Sequence, residues 1–209
     1  MTYRGPDTLW HEHLRDERLA VRDRKPIQAL NDYREHLHRM CGRDIPNFDP
    51  FDGGVCARLL ILLETPGPSI VGCERRFVSI DNPTGTAKNL RDALLTAGIS
   101  RRDIIAWNAV PWIRSTRKLI GKAERDDGVK ALTALLPILC GVKVAILAGA
   151  VAHAAKQVIE QAGIQTILAP HPSPVRINTS PTVRESFHSA FVAAGKVLEN
   201  DNNSERRMR

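Results

Sequence analysis

The chain has 209 residues and a formal net charge of +7, and hydrophobic residues make up 43% of it. A chain of this length forms one large domain, or a domain with an N-terminal extension, whose core folds without disulfides or metals. Its four cysteines lack Cys-x-x-Cys spacing, and no apolar run approaches the roughly 20 residues of a membrane span, so we expect a soluble cytoplasmic protein without a disulfide framework or zinc ribbon.

The N-terminal segment, residues 1–48, alternates charged and apolar residues and predicts one or two surface helices broken near Pro26. It contains two His-x-His patterns, at positions 11–13 and 36–38. Because helical residues two apart point away from each other, neither pattern forms a metal site, and we expect no metal.

The first buried strand is predicted at residues 59–63, which are all Leu or Ile. The run stops at Glu64, and the Pro-Gly-Pro sequence at 66–68 cannot extend a ladder of strand hydrogen bonds. Glu64 therefore lies at the carboxyl end of a strand. It is either a solvated loop carboxylate or a functional one, since ligands of open α/β sheets bind at this edge.

Further strands alternate with amphipathic helices along the rest of the chain. This order predicts a three-layer α/β/α fold with a central four-stranded parallel sheet. We expect an N-terminal helical extension (1–48) packed on the domain, an α/β/α domain (49–198) and a disordered tail (199–209). The remaining predicted strands are 104–107, 142–147 and 165–169, and the predicted helices are 86–97, Asp126 or Asp127 to Leu139, 149–161 and 182–198.

Polar side chains recur where predicted strands end. Glu64, Asn108 and His171 each follow a strand, so one crevice can hold a carboxylate, an amide and an imidazole. Taken singly, Asn108 could cap a turn, His171 could be a loop histidine and Phe77 could belong to the core. Three such coincidences at the same edge favour a shared site.

Positive charge is concentrated in residues 71–125, which contain 11 basic and 5 acidic residues. A basic surface beside a crevice is typical of proteins that bind polyanions, because neutralised phosphates release counterions. Many soluble proteins are basic without such a partner, so this signal is weak by itself.

The motifs together resemble the uracil-DNA glycosylase superfamily. The resemblance covers residues 47–198. It rests on Leu-Glu-Thr-Pro-Gly at 63–67, Phe77-Val78, the strand-terminal Asn108 and His-Pro-Ser-Pro at 171–174. It implies the same four-stranded parallel fold and excision of uracil from DNA by cleavage of the N-glycosidic bond.

The resemblance also implies roles for individual residues. The catalytic group would be Glu64, His171 and Thr65, with His171 as donor to uracil O2 and Glu64 beside the sugar and water. Phe77 would stack on the base and Asn108 would read uracil O4 and N3. Further substrate-binding candidates are Asn82, Pro66 and Gly67, and DNA-binding candidates are Ser173, Pro174, Val175, Arg176, Arg114 and Arg117.

Two departures from the family pattern affect these expectations. Leu63 replaces the usual Gly, and Thr65 stands where several classes have the Asp or Asn thought to position the water, which leaves Glu64 as the water-activating candidate. Members with a similar first motif often bind an iron-sulfur cluster, but the cysteine positions do not match, so we expect no cofactor.

The sequence leaves three alternatives open beside uracil excision by a monomer. The first is a glycosylase for another deaminated base, chiefly hypoxanthine. The second is a member that binds lesions in DNA without turnover. The third is an unrelated nucleotide-binding α/β protein, although no Gly-rich phosphate loop opens a helix after the first strand.

Overall fold

The computed structural model describes residues 5–67, 71–115 and 119–207, with only the backbone described for 202–207. Within these ranges, a four-stranded parallel sheet has the order β4-β2-β5-β6. Its strands are β2 (Leu59–Leu63), β4 (Ile104–Asn108), β5 (Val144–Ala148) and β6 (Gln165–Ala169). The short strands β1 (Asn47–Phe48) and β3 (Phe77–Val78) pair separately. The α/β class and the parallel sheet are confirmed.

Helices cover both faces of the sheet, and each face has its own hydrophobic cluster. The side chains of β2 alternate between them, because Leu60 and Leu62 join one cluster while Leu59 and Ile61 join the other. No helix in the described part of the chain combines the length and the apolar character needed to cross a membrane. The helices are α1 (Glu12–Val21), α2 (Lys25–Cys41), α3 (Gly85–Thr96), α4 (Lys122–Leu135), α5 (Ala150–His153), α6 (Lys156–Gln161), α7 (Pro174–Ile177) and α8 (Pro181–Arg207).

The N-terminal helices are integrated into the domain. Ile27, Leu30 and Tyr33 of α2 belong to the same hydrophobic cluster as Trp107, so α2 is more buried than the predicted surface helix. Pro26 lies in the first turn of α2, where its missing N–H leaves no helix hydrogen bond unmade. The break between α1 and α2 lies just before it.

A buried ionic network fastens α1 to the domain. The Arg18 guanidinium contacts Asp49 at 3.0 Å and Asp81 at 2.5 Å. Arg101 contacts the same two carboxylates and also Asp52, at 3.1 Å. Burial raises the pKa of Asp52 well above its ordinary range, with the neighbouring Asp49 acting in the same direction.

Several predicted helix boundaries were wrong. Helix α4 begins at Lys122, so Asp126 lies inside the helix, where it pairs with Lys122 at 2.8 Å, and does not cap it. The predicted helix 149–161 is divided into α5 and α6. Helix α8 continues past Leu198 into the expected tail, where Asp201 accepts from Arg58 at 3.2 Å.

Candidate active site

The carboxyl ends of β2 and β4 are held in register beyond the strands. Asn108 pairs with Leu63, the Ala109 N–H donates to Leu63 O at 2.7 Å, and the Val110 N–H donates to Glu64 O at 2.9 Å. These bonds fix the Glu64 backbone beside Asn108, as expected for residues at the ends of adjacent parallel strands.

The Glu64 side chain extends toward the next strand, β5. Its Oε1 accepts a hydrogen bond from the Val151 N–H at 3.2 Å. Gly149, which precedes α5, has φ +104°, and a Cβ there would lie 2.5 Å from Glu64 Oε1. Only glycine satisfies both the backbone angle and the close approach. The carboxylate is therefore held by the β5–α5 turn and is not a freely solvated loop charge.

His171 follows β6 and has a defined hydrogen-bonding state. The Ser173 N–H donates to His171 Nδ1 at 3.1 Å. Since Nδ1 acts as the acceptor, the neutral ring carries its proton on Nε2, which is left as a donor. Burial lowers the pKa of His171 below its ordinary value, although the nearby Glu64 carboxylate acts in the opposite direction. The neutral ring is thus an Nε2–H donor, and the Glu64 carboxylate interacts with it electrostatically.

Asn108 is buried, with 3% of its surface exposed. Its side-chain amide makes no hydrogen bond to any residue in the described ranges, and its polar atoms are not among the fully buried atoms that lack a partner, so they keep some exposure. A turn cap would show a bond from the side chain to the backbone. The amide is instead available to a ligand in the crevice.

Phe77 lies in β3, and Asn82 lies in the turn that follows this strand. Phe77 is 5% exposed, yet neither hydrophobic cluster of the described residues includes it. The Asn82 Nδ2 donates to Phe77 O at 2.9 Å and so braces the backbone that carries the ring. Contact of Asn82 with a substrate stays a prediction.

The first-motif loop continues through Thr65, Pro66 and Gly67, of which the first two are half-buried. Arg76 donates to the Gly67 carbonyl and ties this loop to the segment that carries Phe77. Burial lowers the pKa of Arg76 below its ordinary value. Arg76 was not among the predicted site residues.

The His171 loop ends in the short helix α7. Ser173 caps α7, with its Oγ accepting from the Arg176 N–H at 3.4 Å. Pro174 and Arg176 are exposed, and Val175 is 85% exposed. The loop therefore exposes the apolar side chain of Val175 next to the cationic Arg176. Val175 lies two residues after Ser173, whose amide orients His171.

The basic segment is more neutralised than its composition indicates. Arg101 faces three carboxylates in the N-terminal network. Arg114 Nε donates to Glu124 at 3.0 Å, and Trp112 Nε1 donates to the same oxygen at 2.9 Å. Arg117 lies outside the described residues. Phosphate contacts by Arg114 and Arg117 stay predictions.

The described residues contain no group of three or more His, Cys, Asp or Glu side chains suited to holding a metal ion. The catalytic candidates Glu64 and His171 lie close enough to interact electrostatically. The arrangement pairs a fixed carboxylate with an imidazole donor, and the Asn108 amide lies at the end of β4, the strand next to the one that Glu64 follows. Such a set can stabilise opposite charges that develop on two parts of one substrate.

Comparison with known proteins gives the family. Residues 51–194 match the model of the Uracil DNA glycosylase superfamily, which is more than half of the chain. The chain belongs to this superfamily. Membership supports a DNA-glycosylase type of activity, and the superfamily includes members with other substrates.

Among solved structures, the chain is similar to a mimivirus UNG variant crystallised in complex with UGI. The TM-score is 0.43 and the sequence identity is 12%, over 78% of this chain and 70% of that chain. No curated protein matches significantly.

The sequence predicted the positions of Glu64, Asn108 and His171 at strand ends, but it did not predict the groups that position them. Gly149 could have been suspected, because a glycine directly follows the aliphatic run of β5. The amides of Val151 and Ser173 carry no signal in the sequence, since any non-proline residue supplies an N–H.

Proposed function

We propose that this protein hydrolyses the N-glycosidic bond of uracil in DNA and leaves an abasic site. The observation that carries the proposal is the hydrogen bond from the Ser173 amide to His171 Nδ1, which leaves Nε2–H as the donor. A uracil leaving group takes up negative charge on O2, and a neutral imidazole already carries the N–H that stabilises this charge, so it need not first gain a proton.

The reaction separates charge between the sugar and the base. The bond between C1′ and uracil N1 breaks, its electron pair leaves with uracil, and His171 Nε2–H donates to O2. The Glu64 carboxylate stabilises the oxocarbenium-like sugar and accepts a proton from the water that adds to C1′. The Val151 amide and Gly149 support this role because they hold the carboxylate in one position.

Base selection rests on Asn108 and Phe77. An amide that makes no hydrogen bond to the described residues is suited to the O4 and N3 edge of a uracil rotated out of the DNA stack. Phe77 stacks on the ring, and Thr65, Pro66 and Gly67 form the adjoining wall. Val175, flanked by Pro174 and Arg176, fills the gap left by the base.

A single assay tests the proposal. Labelled oligonucleotides containing one uracil, hypoxanthine or cytosine, single-stranded and in duplex, are incubated with the protein, treated with alkali and resolved on a gel. Cleavage at uracil is expected. Cleavage at hypoxanthine alone would reassign the substrate, and a shifted band without cleavage would indicate a lesion-binding protein.

Glu64→Gln is the matched control for this assay. The glutamine keeps the side-chain shape and an acceptor for the Val151 N–H, but it cannot take a proton from water. Uracil cleavage that persists at the wild-type rate in this variant would remove Glu64 from the mechanism.

A further inference from the structure

The loop that carries His171 has few hydrogen-bond donors of its own. Its sequence places proline at positions 170, 172 and 174, and proline has no backbone N–H. The Ser173 N–H is already used by His171 Nδ1. A loop of this composition must be held mainly through its carbonyl groups.

One such carbonyl is bound by a side chain from α3. Asn89 Nδ2 donates to Pro172 O at 2.8 Å. Pro172 is buried and Asn89 is half-buried, so the bond is sheltered from water. It joins the residue directly after His171 to a helix on another part of the chain.

The same helix approaches the loop at a second point. A Cβ at Gly85, the first residue of α3, would lie 2.2 Å from Pro174 Cγ, so the helix start packs directly on the loop. Thr84 caps α3, with its Oγ1 accepting from the Ala87 N–H at 3.1 Å. Helix α3 is therefore a rigid support lying against residues 172–174.

We propose that Asn89 is a positioning residue for catalysis, which aims the His171 imidazole by holding the Pro172 carbonyl. The inference rests on the proposed function. Asn89 does not touch the base; it fixes the loop segment that sets the direction of Nε2–H. A misplacement of about 1 Å at a reacting group can cost about 10²-fold in rate.

The test compares Asn89→Ala with Lys88→Ala in single-turnover uracil excision at saturating protein. Lys88 is the adjacent residue on α3, is exposed and, among the described residues, pairs with Asp92 one turn away at 2.6 Å, so its loss controls for effects on the helix. Asn89→Ala is expected to lower the rate by about 10-fold to 10²-fold. Lys88→Ala is expected to leave it within about twofold, and the dissociation constant should change by less than about threefold in both.

A double-mutant cycle separates positioning from general support of the fold. If Asn89 acts through His171, Asn89→Ala should have almost no effect on the rate in a His171→Ala background. Equal losses in both backgrounds would overturn the assignment, as would an Asn89→Ala rate equal to that of Lys88→Ala. Should the alanine variant fail to fold, Asn89→Asp keeps the volume but cannot donate when ionised, and the same comparisons apply.

The two proposals fail in different ways. A wild-type chain that releases no uracil overturns the proposed function, and the assignment of Asn89 falls with it. A wild-type chain that excises uracil, together with variants at Asn89 that do so equally fast, overturns the positioning role alone.

Discussion

Gly149 and Glu64 are in such close contact that a single added carbon at Gly149 would lie 2.5 Å from the carboxylate Oε1. The glycine comes from the turn after β5 and the carboxylate from the end of β2. The catalytic candidate is thus positioned by a residue without a side chain, 85 positions further along the chain.

Gly149→Ala should displace the Glu64 carboxylate and lower uracil excision by about 10²-fold. Its φ of +104° also strains an alanine, at a cost of about 1–3 kcal/mol of unfolding free energy. Gly163→Ala is the matched control, because φ is +79° and no atom lies within 4 Å of the added Cβ. Single-turnover rates and urea denaturation of both variants measure the two effects. Equal activity in the two variants would show that contact with Glu64 is unimportant.

His171→Ala should lower the single-turnover rate by about 10²–10³-fold, the loss typical of one oxyanion donor. Affinity for a uracil oligonucleotide should change far less, because the donor acts mainly after charge has developed on O2. Rates at saturating protein and equilibrium binding are measured side by side. A near-normal rate with weakened binding would make His171 a structural brace for its loop.

His171 should also make stability depend on pH. Its folded pKa is lowered by burial, so as the pH falls through about 6.5 the unfolded chain binds a proton that the folded chain does not. The free energy of unfolding should therefore decrease on acidification toward the folded pKa. The His171→Gln variant lacks this pH-dependent decrease in the free energy of unfolding. The other histidines contribute equally to the wild-type protein and the variant. Denaturation of the wild-type protein and the variant at about pH 7.5 and about pH 5.5 gives the difference in their unfolding free energies. If this difference is the same at both pH values, the pKa of His171 is not shifted.

Asn108→Asp should reduce uracil excision and permit excision of cytosine. The carboxylate places an acceptor where cytosine presents its amino group, while uracil presents O4. Cleavage of matched uracil and cytosine oligonucleotides measures the change, and a thermal melt checks the fold. Full retention of uracil activity would remove Asn108 from base recognition.

Val175→Ala should slow excision from duplex DNA by about fivefold, corresponding to about 1 kcal/mol of lost apolar contact, and leave single-stranded substrate nearly unaffected. The difference arises because only a duplex has a stack to fill after the base leaves. Leu95→Ala serves as control, since Leu95 is 83% exposed near the C-terminal end of α3. A uniform loss on both substrates would point to a general effect on the loop.

The sheet could be predicted mainly because its two inner strands are aliphatic runs buried on both faces, as Leu59–Leu63 and Val144–Ala148 illustrate. The start of α4 could not, since Asp126 was equally suited to a cap or to a pair with Lys122. Near the proposed site, the positions of Glu64, Asn108 and His171 at or after strand ends could be predicted, and their roles stay predictions. The groups that orient them were not, because the Ser173 amide and the Asn89–Pro172 bond arise from contacts that leave no pattern in the sequence.

Because of the ionic network at α1, the stable folding unit begins earlier in the chain than the segment that matches the family. The match starts at residue 51, yet Asp49 and Asp81 are neutralised partly by Arg18, far upstream of it. A shortened chain that lacks α1 keeps the buried carboxylates and loses one of their two cations, a change that typically costs about 3–5 kcal/mol. Such a loss approaches the whole stability of a typical domain. The first helix is therefore a structural counterion for the domain, and expression fragments of this protein need to include it.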